Sequence, residues 1–324
     1  MQLQDYCHIE NGSLRLRRPL QSFSQGGIIT DDEGFRSQLE MLAQASRSCV
    51  PLIIIGEKGS GKGQIARYVH SISERHQGPF IKSNFAYLPE GRMLEELFSA
   101  ERSNFTLLER ARNGTLYLEN VEQMSNYVQY RLIEQLNACP ESIRLIVGLR
   151  EPETHVPSLT GQLAAGGNTL TVEVPPLRKR KQDIVLLTFQ QLQTLRQDYH
   201  LERTVSRAVM SAMLQYDWPG NARQLSNIID QMAFTSAHTC IDSVSLLQQC
   251  LHREEQLRKS DREKLPASGK SLKQLLQDYE ILIIQQYVES YGSIRKAAEA
   301  LQTSPATLSR RITEHNRLNG KNEQ

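Results

Sequence analysis

One stretch of the sequence has the residue types and spacing of a phosphate-binding loop. Residues 56–63 read Gly-Glu-Lys-Gly-Ser-Gly-Lys-Gly and directly follow the apolar run Pro51-Leu52-Ile53-Ile54-Ile55. Glycines let the backbone curl so that successive N–H groups and the next helix N-terminus face phosphate oxygens, and Lys62 adds positive charge. The Ser or Thr that usually follows this lysine as a metal-side ligand is replaced by Gly63. The alternative interpretation is a glycine-rich turn that binds nothing. The predicted nucleotide-contacting residues are Gly56, Glu57, Lys58, Gly59, Ser60, Gly61, Lys62 and Gly63.

The elements around this loop follow the pattern of an α/β fold with a parallel sheet. Apolar runs between residues 51 and 175 alternate with amphipathic segments, as expected for strands joined by crossover helices. The predicted strands are Leu52–Ile55, Phe80–Lys82, Thr115–Leu118, Arg144–Leu149 and Leu170–Val174, and the predicted helices cover 63–74, 91–98, 122–137 and 158–165. Thr30-Asp31-Asp32 is predicted to cap a helix that precedes the first of these strands.

The remainder of the chain is predicted to be helical. Residues 180–198 and 204–235 have helical periodicity and are interrupted by the turn Trp218-Pro219-Gly220-Asn221, where Trp218 is expected to anchor the packing. The sequence therefore predicts the following parts: a short N-terminal segment 1–27, an α/β subdomain 28–175, a helical lid 176–251, a charged linker 252–270 and a small all-α domain 271–324. The first of these is expected to be too short for a separate sensory domain.

The last part has the pattern of a helix-turn-helix. A long helix is predicted over Leu272–Tyr291, a second after Ser293, and a third after the turn Gln302-Thr303-Ser304-Pro305. Arginine and hydroxyl side chains on the outer face would suit contacts with phosphates and base edges of double-stranded DNA. The alternative is a helical packing module with a solvated charged face. The candidate DNA-binding residues are Arg295, Lys296, Ser304, Thr307, Ser309, Arg310 and Arg311.

Composition limits the class of protein. The chain has 324 residues, a net charge of +2 and five scattered cysteines without C-x-x-C spacing, so we expect no zinc site and no disulfide framework. No signal peptide and no apolar stretch of about 20 residues is present, so no membrane association is expected and the predicted location is the cytoplasm.

The stretch Asn113–Asn120 reads Asn-Gly-Thr-Leu-Tyr-Leu-Glu-Asn and resembles the Gly-Gly-Thr-Leu-Phe-Leu-Asp-Glu strand of bacterial enhancer-binding proteins, the sigma-54-dependent activators. The resemblance covers about residues 28–240. It implies an AAA+ P-loop sheet with a helical lid, ATP or ADP with Mg²⁺ as cofactors, self-association, and double-stranded DNA and RNA polymerase as partners. Further motifs that carry it are Gly78-Pro79-Phe80, Asn84, Leu88-Pro89-Glu90, Glu96-Leu97-Phe98, Pro175-Pro176-Leu177-Arg178, Asp183-Ile184, Trp218-Pro219-Gly220-Asn221, Arg223 and Leu225.

The departures from the family pattern concern hydrolysis. Glu119 stands where the family has the Asp that holds Mg²⁺ through water, and Asn120 replaces the catalytic Glu and cannot act as a base. The Asn that ends the fourth strand is missing, because that strand runs directly into Arg150. Residues 159–167 lack the family's trans-acting arginine fingers, which contribute about 10³–10⁵ in rate in P-loop enzymes. A weak or inactive ATPase is therefore predicted.

Two more basic sites have an interpretation from the resemblance. Arg223 matches the family's second sensor arginine, which reaches the nucleotide phosphates from the lid; the alternative is an ordinary surface arginine. The run from Arg178 to Lys181 is interpreted as a solvated helix start rather than a nucleic-acid patch.

The loop that contacts sigma-54 in the family is shortened. The family's Gly-Ala-Phe-Thr-Gly-Ala corresponds to Ser103–Leu108, which reads Ser-Asn-Phe-Thr-Leu-Leu, and the rest of the insertion is deleted. The chain thus resembles the TyrR-like branch, which works with the ordinary sigma factor, and its C-terminal segment is also similar to the nucleoid protein Fis. We predict a DNA-binding transcriptional regulator that acts without sigma-54. The alternatives are an active sigma-54-dependent ATPase and a nucleotide-sensing adaptor that does not bind DNA.

Overall fold

The computed structural model describes residues 3–10, 12–86, 88–98, 106–138, 143–150, 161, 163, 169–263, 284, 298, 303–305, 307, 308, 310 and 311. The chain divides into two compact units, Met1–Leu251 and His252–Gln324. No helix among the described residues is long and apolar enough to cross a membrane.

A parallel sheet is the centre of the first unit. The strands are β1 (Cys7–Glu10), β2 (Ser13–Leu16), β3 (Ser24–Gln25), β4 (Ile28–Ile29), β5 (Leu52–Gly56), β6 (Phe80–Asn84), β7 (Gly114–Glu119), β8 (Ile143–Leu149), β9 (Leu170–Val174), β10 (Thr204–Val205) and β11 (Cys240–Ile241). Five of them pair in the order β6-β7-β8-β5-β9, so β5 lies inside the sheet. Leu52, Ile53 and Ile54 are all buried, because helices cover both faces of a parallel sheet. This explains why β5 is a continuous apolar run.

Helices connect and cover these strands. They are α1 (Leu3–Tyr6), α2 (Glu33–Ala45), α3 (Lys62–Ser71), α4 (Glu90–Phe98), α5 (Leu107–Arg110), α6 (Asn126–Ala138), α7 (Lys181–Tyr199), α8 (Arg207–Gln215), α9 (Asn221–Thr235) and α10 (Val244–Glu263). The Asp32 side chain accepts a hydrogen bond of 2.8 Å from Phe35 N and caps α2, as the sequence predicted.

The lid has its own hydrophobic core, formed mainly by α7, α8 and α9. Trp218 is fully buried there and donates a hydrogen bond from Nε1 to Met213 O at 2.8 Å, which confirms its predicted packing role. The hairpin β1–β2 adds Cys7 and Leu14 to the same core. The N-terminal segment 1–27 is therefore partly folded onto the lid.

The structure confirms the α/β fold class and all five predicted strands, some of which are longer by one or two residues. Two expectations need correction. Helix α6 begins at Asn126 rather than 122, because a 3-10 turn occupies Val121–Gln123. Residues 204 and 205 form a strand paired with β11 instead of the start of a helix, since the N-cap Ser206 follows them. Of the predicted helix 158–165, only residues 161 and 163 lie within the described part.

The predicted linker 252–270 is helical as far as Glu263. Glu, Gln, Arg and Lys favour helix, so a charged stretch with few apolar residues does not by its composition distinguish a solvated helix from a linker. Residues 264–270 lie outside the described part.

The predicted helix-turn-helix is described at a few positions. Ser304 and Thr307 form a helix start, in which Ser304 Oγ accepts from Thr307 N at 3.1 Å. Leu308 and Ala298 are buried. The predicted helices 272–291 and after Ser293 otherwise lie outside the described residues.

Removal of one partner of the buried ion pair between Arg180 and Asp183 is expected to destabilise the first unit strongly. Its N–O distance is 3.1 Å and the two side chains are 4% and 0% exposed. We expect Asp183→Ala to lower the free energy of unfolding by about 3–5 kcal/mol, because it leaves a buried guanidinium without its counter-charge. Arg92→Ala breaks an exposed pair with Glu95 and should cost less than about 1 kcal/mol. Urea denaturation measures both values, and equal losses would contradict the expectation.

Candidate nucleotide site

The glycine-rich loop connects β5 to α3 and is shaped by left-handed backbone. Gly59 has φ +79° and Gly61, the N-cap of α3, has φ +108°, values that side chains rarely allow. A Cβ on Gly59 would also collide with Gly220 O of the lid. The loop therefore places its backbone against the N-terminus of α3, where N–H groups and the helix dipole favour anions.

Lys62 is the central cation of this loop. Its Nζ donates to Gly56 O at 2.7 Å and to Glu57 O at 2.9 Å. Burial, assisted by the positive charges of Arg150 and Arg223 and partly opposed by Glu119, lowers the pKa of Lys62 to about 8. Three cations thus share one small region, which is an arrangement that attracts polyphosphate anions.

The lid contacts the glycine-rich loop mainly at Glu57, the second residue of that loop. Arg178 makes two hydrogen bonds of 2.9 and 2.6 Å to the Glu57 carboxylate, and Asn221 Nδ2 adds one of 3.0 Å. The hydrogen bonds from Arg178 lower the pKa of Glu57. Asn221 also donates to Lys58 O and accepts from Leu177 N at 2.7 Å. The Glu57 side chain therefore joins the loop to the lid, and the predicted contact of this residue with a nucleotide stays a prediction.

Two further lid arginines reach the loop. Arg180 donates to Ser60 O at 2.8 Å, and Arg223 N lies 3.4 Å from Gly59 O. The interpretation of the basic run 178–181 as a solvated helix start is wrong at Arg180, which is buried, whereas Arg178 is exposed and pairs with Glu57. Charge in the sequence did not reveal these internal partners. The sensor role of Arg223 stays a prediction, which its position beside the loop favours.

The acidic end of β7 lies beside the loop. Glu119 accepts a hydrogen bond from Tyr117 OH at 2.8 Å and pairs with Lys82 Nζ at 3.0 Å. The hydroxyl of Tyr117 is buried, and burial together with the Glu119 charge raises its pKa, so it stays a donor. Asn120 Nδ2 donates to Asn84 Oδ1 at 2.7 Å. The pair at the predicted catalytic position therefore consists of two amides, which neither accept a proton from water nor carry charge.

Sequence reasoning assigned no role to Lys82 or Tyr117. Both lie on the strand face that bears Glu119, since Tyr117 and Glu119 are two residues apart and Lys82 is the direct neighbour of Tyr117 in register. A lysine near the carboxyl end of β6 was the available signal, but its meaning depended on strand pairing. Among the described residues, no group of three or more His, Cys, Asp or Glu side chains could hold a metal ion.

Four of the DNA-binding candidates lie in the described part of the second unit. Ser304 and Arg310 are exposed, and Thr307 and Arg311 are half-buried. Arg295, Lys296 and Ser309 lie outside the described residues. Within the first unit, Thr106 starts α5 with a capping box to Glu109, and the preceding residues of the predicted shortened loop, 103–105, are likewise outside.

A glycine-rich loop after the inner strand β5, the acidic end of β7 beside that loop and a helical lid closing on the loop together define a P-loop domain of the AAA+ class. Comparison with family models agrees: residues 28–148 match a sigma-54 interaction domain, 178–263 an AAA+ ATPase lid domain and 269–316 a helix-turn-helix domain. The chain belongs to the enhancer-binding family of sigma-54-type transcriptional regulators. The narrower resemblance to the TyrR-like branch stays a prediction.

Individual relatives cover most of the chain. It is 30% identical over 318 residues to the regulatory protein AtoC of Escherichia coli (strain K12). The alignment covers 91% of this chain and 68% of AtoC. A protein named limonene hydroxylase from Geobacillus stearothermophilus is 30% identical over 339 residues. That alignment covers 96% of this chain and 61% of the hydroxylase. This chain thus spans about 61–68% of these relatives. The fold is similar to that of NtrX from Brucella abortus, solved in complex with ATP, with TM-score 0.58, 22% identity and coverage of 90% and 69%.

The lowered pKa of Lys62 predicts a pH dependence of anion binding. A bound phosphate favours the charged ammonium, so affinity for ATP should fall as pH rises above about 8, by at most about tenfold per pH unit. Lys62→Arg is the matched control, because a guanidinium stays charged throughout this range. Isothermal titration calorimetry between pH 7 and pH 9.5 measures both, and an equal decline in the two proteins would assign the effect to another group.

Proposed function

We propose that this protein is a DNA-binding transcriptional regulator whose AAA+ domain binds ATP or ADP, hydrolyses ATP poorly and acts without sigma-54. The observation that carries the proposal is the Asn120–Asn84 amide pair at the end of β7, beside a phosphate loop that keeps its glycines and Lys62. Binding and hydrolysis are thus separated in one site. Location in the cytoplasm, contact with RNA polymerase and self-association of the AAA+ domain belong to the same proposal.

Nucleotide binding is supported by the shape and charge of the loop. Its backbone conformation leaves N–H groups at the start of α3, and Lys62, Arg150 and Arg223 supply positive charge. NtrX, which has a similar fold, has been solved with ATP and with ADP. A similar fold at 22% and 21% identity makes the same ligands reasonable candidates here.

Poor hydrolysis follows from chemistry at the strand end. In P-loop enzymes a side chain orients or deprotonates the attacking water, and an arginine finger stabilises the charge of the transition state. Asn120 cannot take up a proton, and its amide is already used by Asn84. The domain then serves as a scaffold for self-association that responds to nucleotide, while two or more C-terminal units bind a palindromic site.

The ATPase test compares the protein with its Lys62→Ala variant. We expect both to release phosphate from ATP at the same background rate, while calorimetry shows that Lys62→Ala binds ATP at least about tenfold more weakly, a loss of about 1.4 kcal/mol. Binding without turnover would show that the site is folded but not catalytic. A rate of ATP hydrolysis that is typical of the family and is lost in Lys62→Ala would favour the alternative, an active sigma-54-dependent activator. The match of residues 28–148 to a sigma-54 interaction domain supports that alternative.

The helix-turn-helix match, residues 269–316, supports DNA binding through the C-terminal unit. Arg310 and Arg311 follow the helix start at Ser304, and Arg310 is exposed. Arginines at such positions supply phosphate or base-edge contacts. The proposed role of the second unit is therefore to place the regulator at its operators.

The DNA test uses fragments recovered by genome-wide mapping of bound DNA. Arg310→Ala and Arg311→Ala should each weaken binding, and each lost phosphate contact should reduce the slope of log K against log salt concentration by about 1. Arg15→Ala, which removes an exposed arginine paired with Glu10 in the first unit, is the matched control and should leave binding unchanged. Fluorescence anisotropy at several salt concentrations measures this. Unchanged binding in all three variants would show that neither arginine contacts the DNA, and absence of binding by the unmodified protein would favour the adaptor that does not bind DNA.

A further inference from the structure

The position after the loop lysine is where a P-loop protein normally contributes a hydroxyl to Mg²⁺. Gly63 has no side chain, and the side chains of Lys82, Tyr117 and Glu119 occupy the space next to it. A Cβ placed on Gly63 would lie 3.5 Å from Lys82 Nζ and 3.6 Å from Glu119 Oε1. An ammonium group and a carboxylate therefore stand beside the place from which the metal-binding hydroxyl would extend.

Glu119, the carboxylate beside this position, is already paired. One oxygen of Glu119 accepts from Tyr117 OH at 2.8 Å and the other contacts Lys82 Nζ at 3.0 Å. Lys82 also lies 5.6 Å from the centre of the Tyr117 ring, which stabilises its positive charge. Mg²⁺ needs oxygen ligands in near-octahedral geometry and is repelled by a fixed ammonium at the same carboxylate. These residues do not fit a Mg²⁺ site, including one in which Glu119 acts through water.

We propose that the Lys82 ammonium takes the place of Mg²⁺ and that the site binds ATP or ADP in the metal-free form. This inference rests on the proposed nucleotide binding. The Lys82 side chain is 39% exposed, so its ammonium group can contact a ligand while it remains next to Glu119. Together with Lys62, Arg150 and Arg223 it supplies the positive charge that a fully ionised polyphosphate requires.

Strand register explains how Lys82 comes to this position. Strands β6 and β7 are parallel, with Lys82 paired to Tyr117 and Asn84 paired to Glu119. Side chains two residues apart share a face, so Lys82, Tyr117 and Glu119 all project toward α3 and Gly63. A partly exposed ion pair contributes little to stability by itself. The arrangement is better explained by a ligand that the ammonium group contacts.

The experiment measures ATP affinity of the full chain by calorimetry in excess EDTA and in excess MgCl₂. The unmodified protein should bind in EDTA with a Kd within about threefold of the Mg²⁺ value, a difference below about 0.7 kcal/mol. Lys82→Met keeps the length of the chain but removes its charge, so binding in EDTA should weaken about tenfold or more. Added Mg²⁺ should partly restore it, because Glu119 is then available to the metal.

Two variants make the result specific. Lys82→Arg keeps a positive charge and should retain binding in EDTA, which also shows that substitution at this position is tolerated. Lys181→Met removes an exposed lysine at the start of α7 and should change nothing.

The outcomes separate this inference from the proposed function. Tight binding of MgATP by the unmodified protein together with loss of binding in EDTA would overturn the role of Lys82 and leave nucleotide binding intact. Absence of ATP binding in both media would overturn the nucleotide proposal and this inference with it. Equal affinity of Lys82→Met and the unmodified protein in EDTA would overturn the role of Lys82 alone.

Discussion

A buried ion pair connects the lid, the phosphate loop and the start of α2. The Asp183 carboxylate accepts from Arg180, from Thr30 Oγ1 at 2.8 Å and from Asp31 N at 2.9 Å, so it joins the lid to the start of α2. Arg180 in turn donates to Ser60 O of the phosphate loop. Neither charge can be left buried without its partner at an acceptable cost in free energy. The lid, the loop and the entry to α2 therefore keep one arrangement.

The charges around the loop explain what the site retains and what it has lost. The carboxylates Glu57 and Glu119 are paired with Arg178 and Lys82, and the position of the catalytic acid carries the neutral Asn120. The arginines and lysines remain. Among the described residues at the end of β7, the amides of Asn120 and Asn84 cannot take up a proton from water, while the cations beside the loop attract anions. The proposed role as a nucleotide-responsive scaffold rests on this combination.

Much of the fold could be predicted because its signals are local. Apolar runs marked the five sheet strands, and Asp32 and Trp218 had the roles that their residue types indicated. The charged stretch after residue 251 was predicted to be a linker but is helical as far as Glu263, since the same residues favour both solvated helix and linker. The prediction that the basic run 178–181 is solvated failed at Arg180, because the burial of this residue depends on partners distant in the chain.

The sequence by itself indicated the phosphate loop, the place of the acidic strand end and, through the family resemblance, an amide at Asn120 where the family has its catalytic acid. Those features depend on residue type and on spacing along the chain. Only the tertiary structure decided that Lys82 neutralises Glu119 and stands beside Gly63, and that Glu57 serves the lid. Strand register and lid docking bring together side chains that are far apart in sequence, and no local pattern encodes that contact.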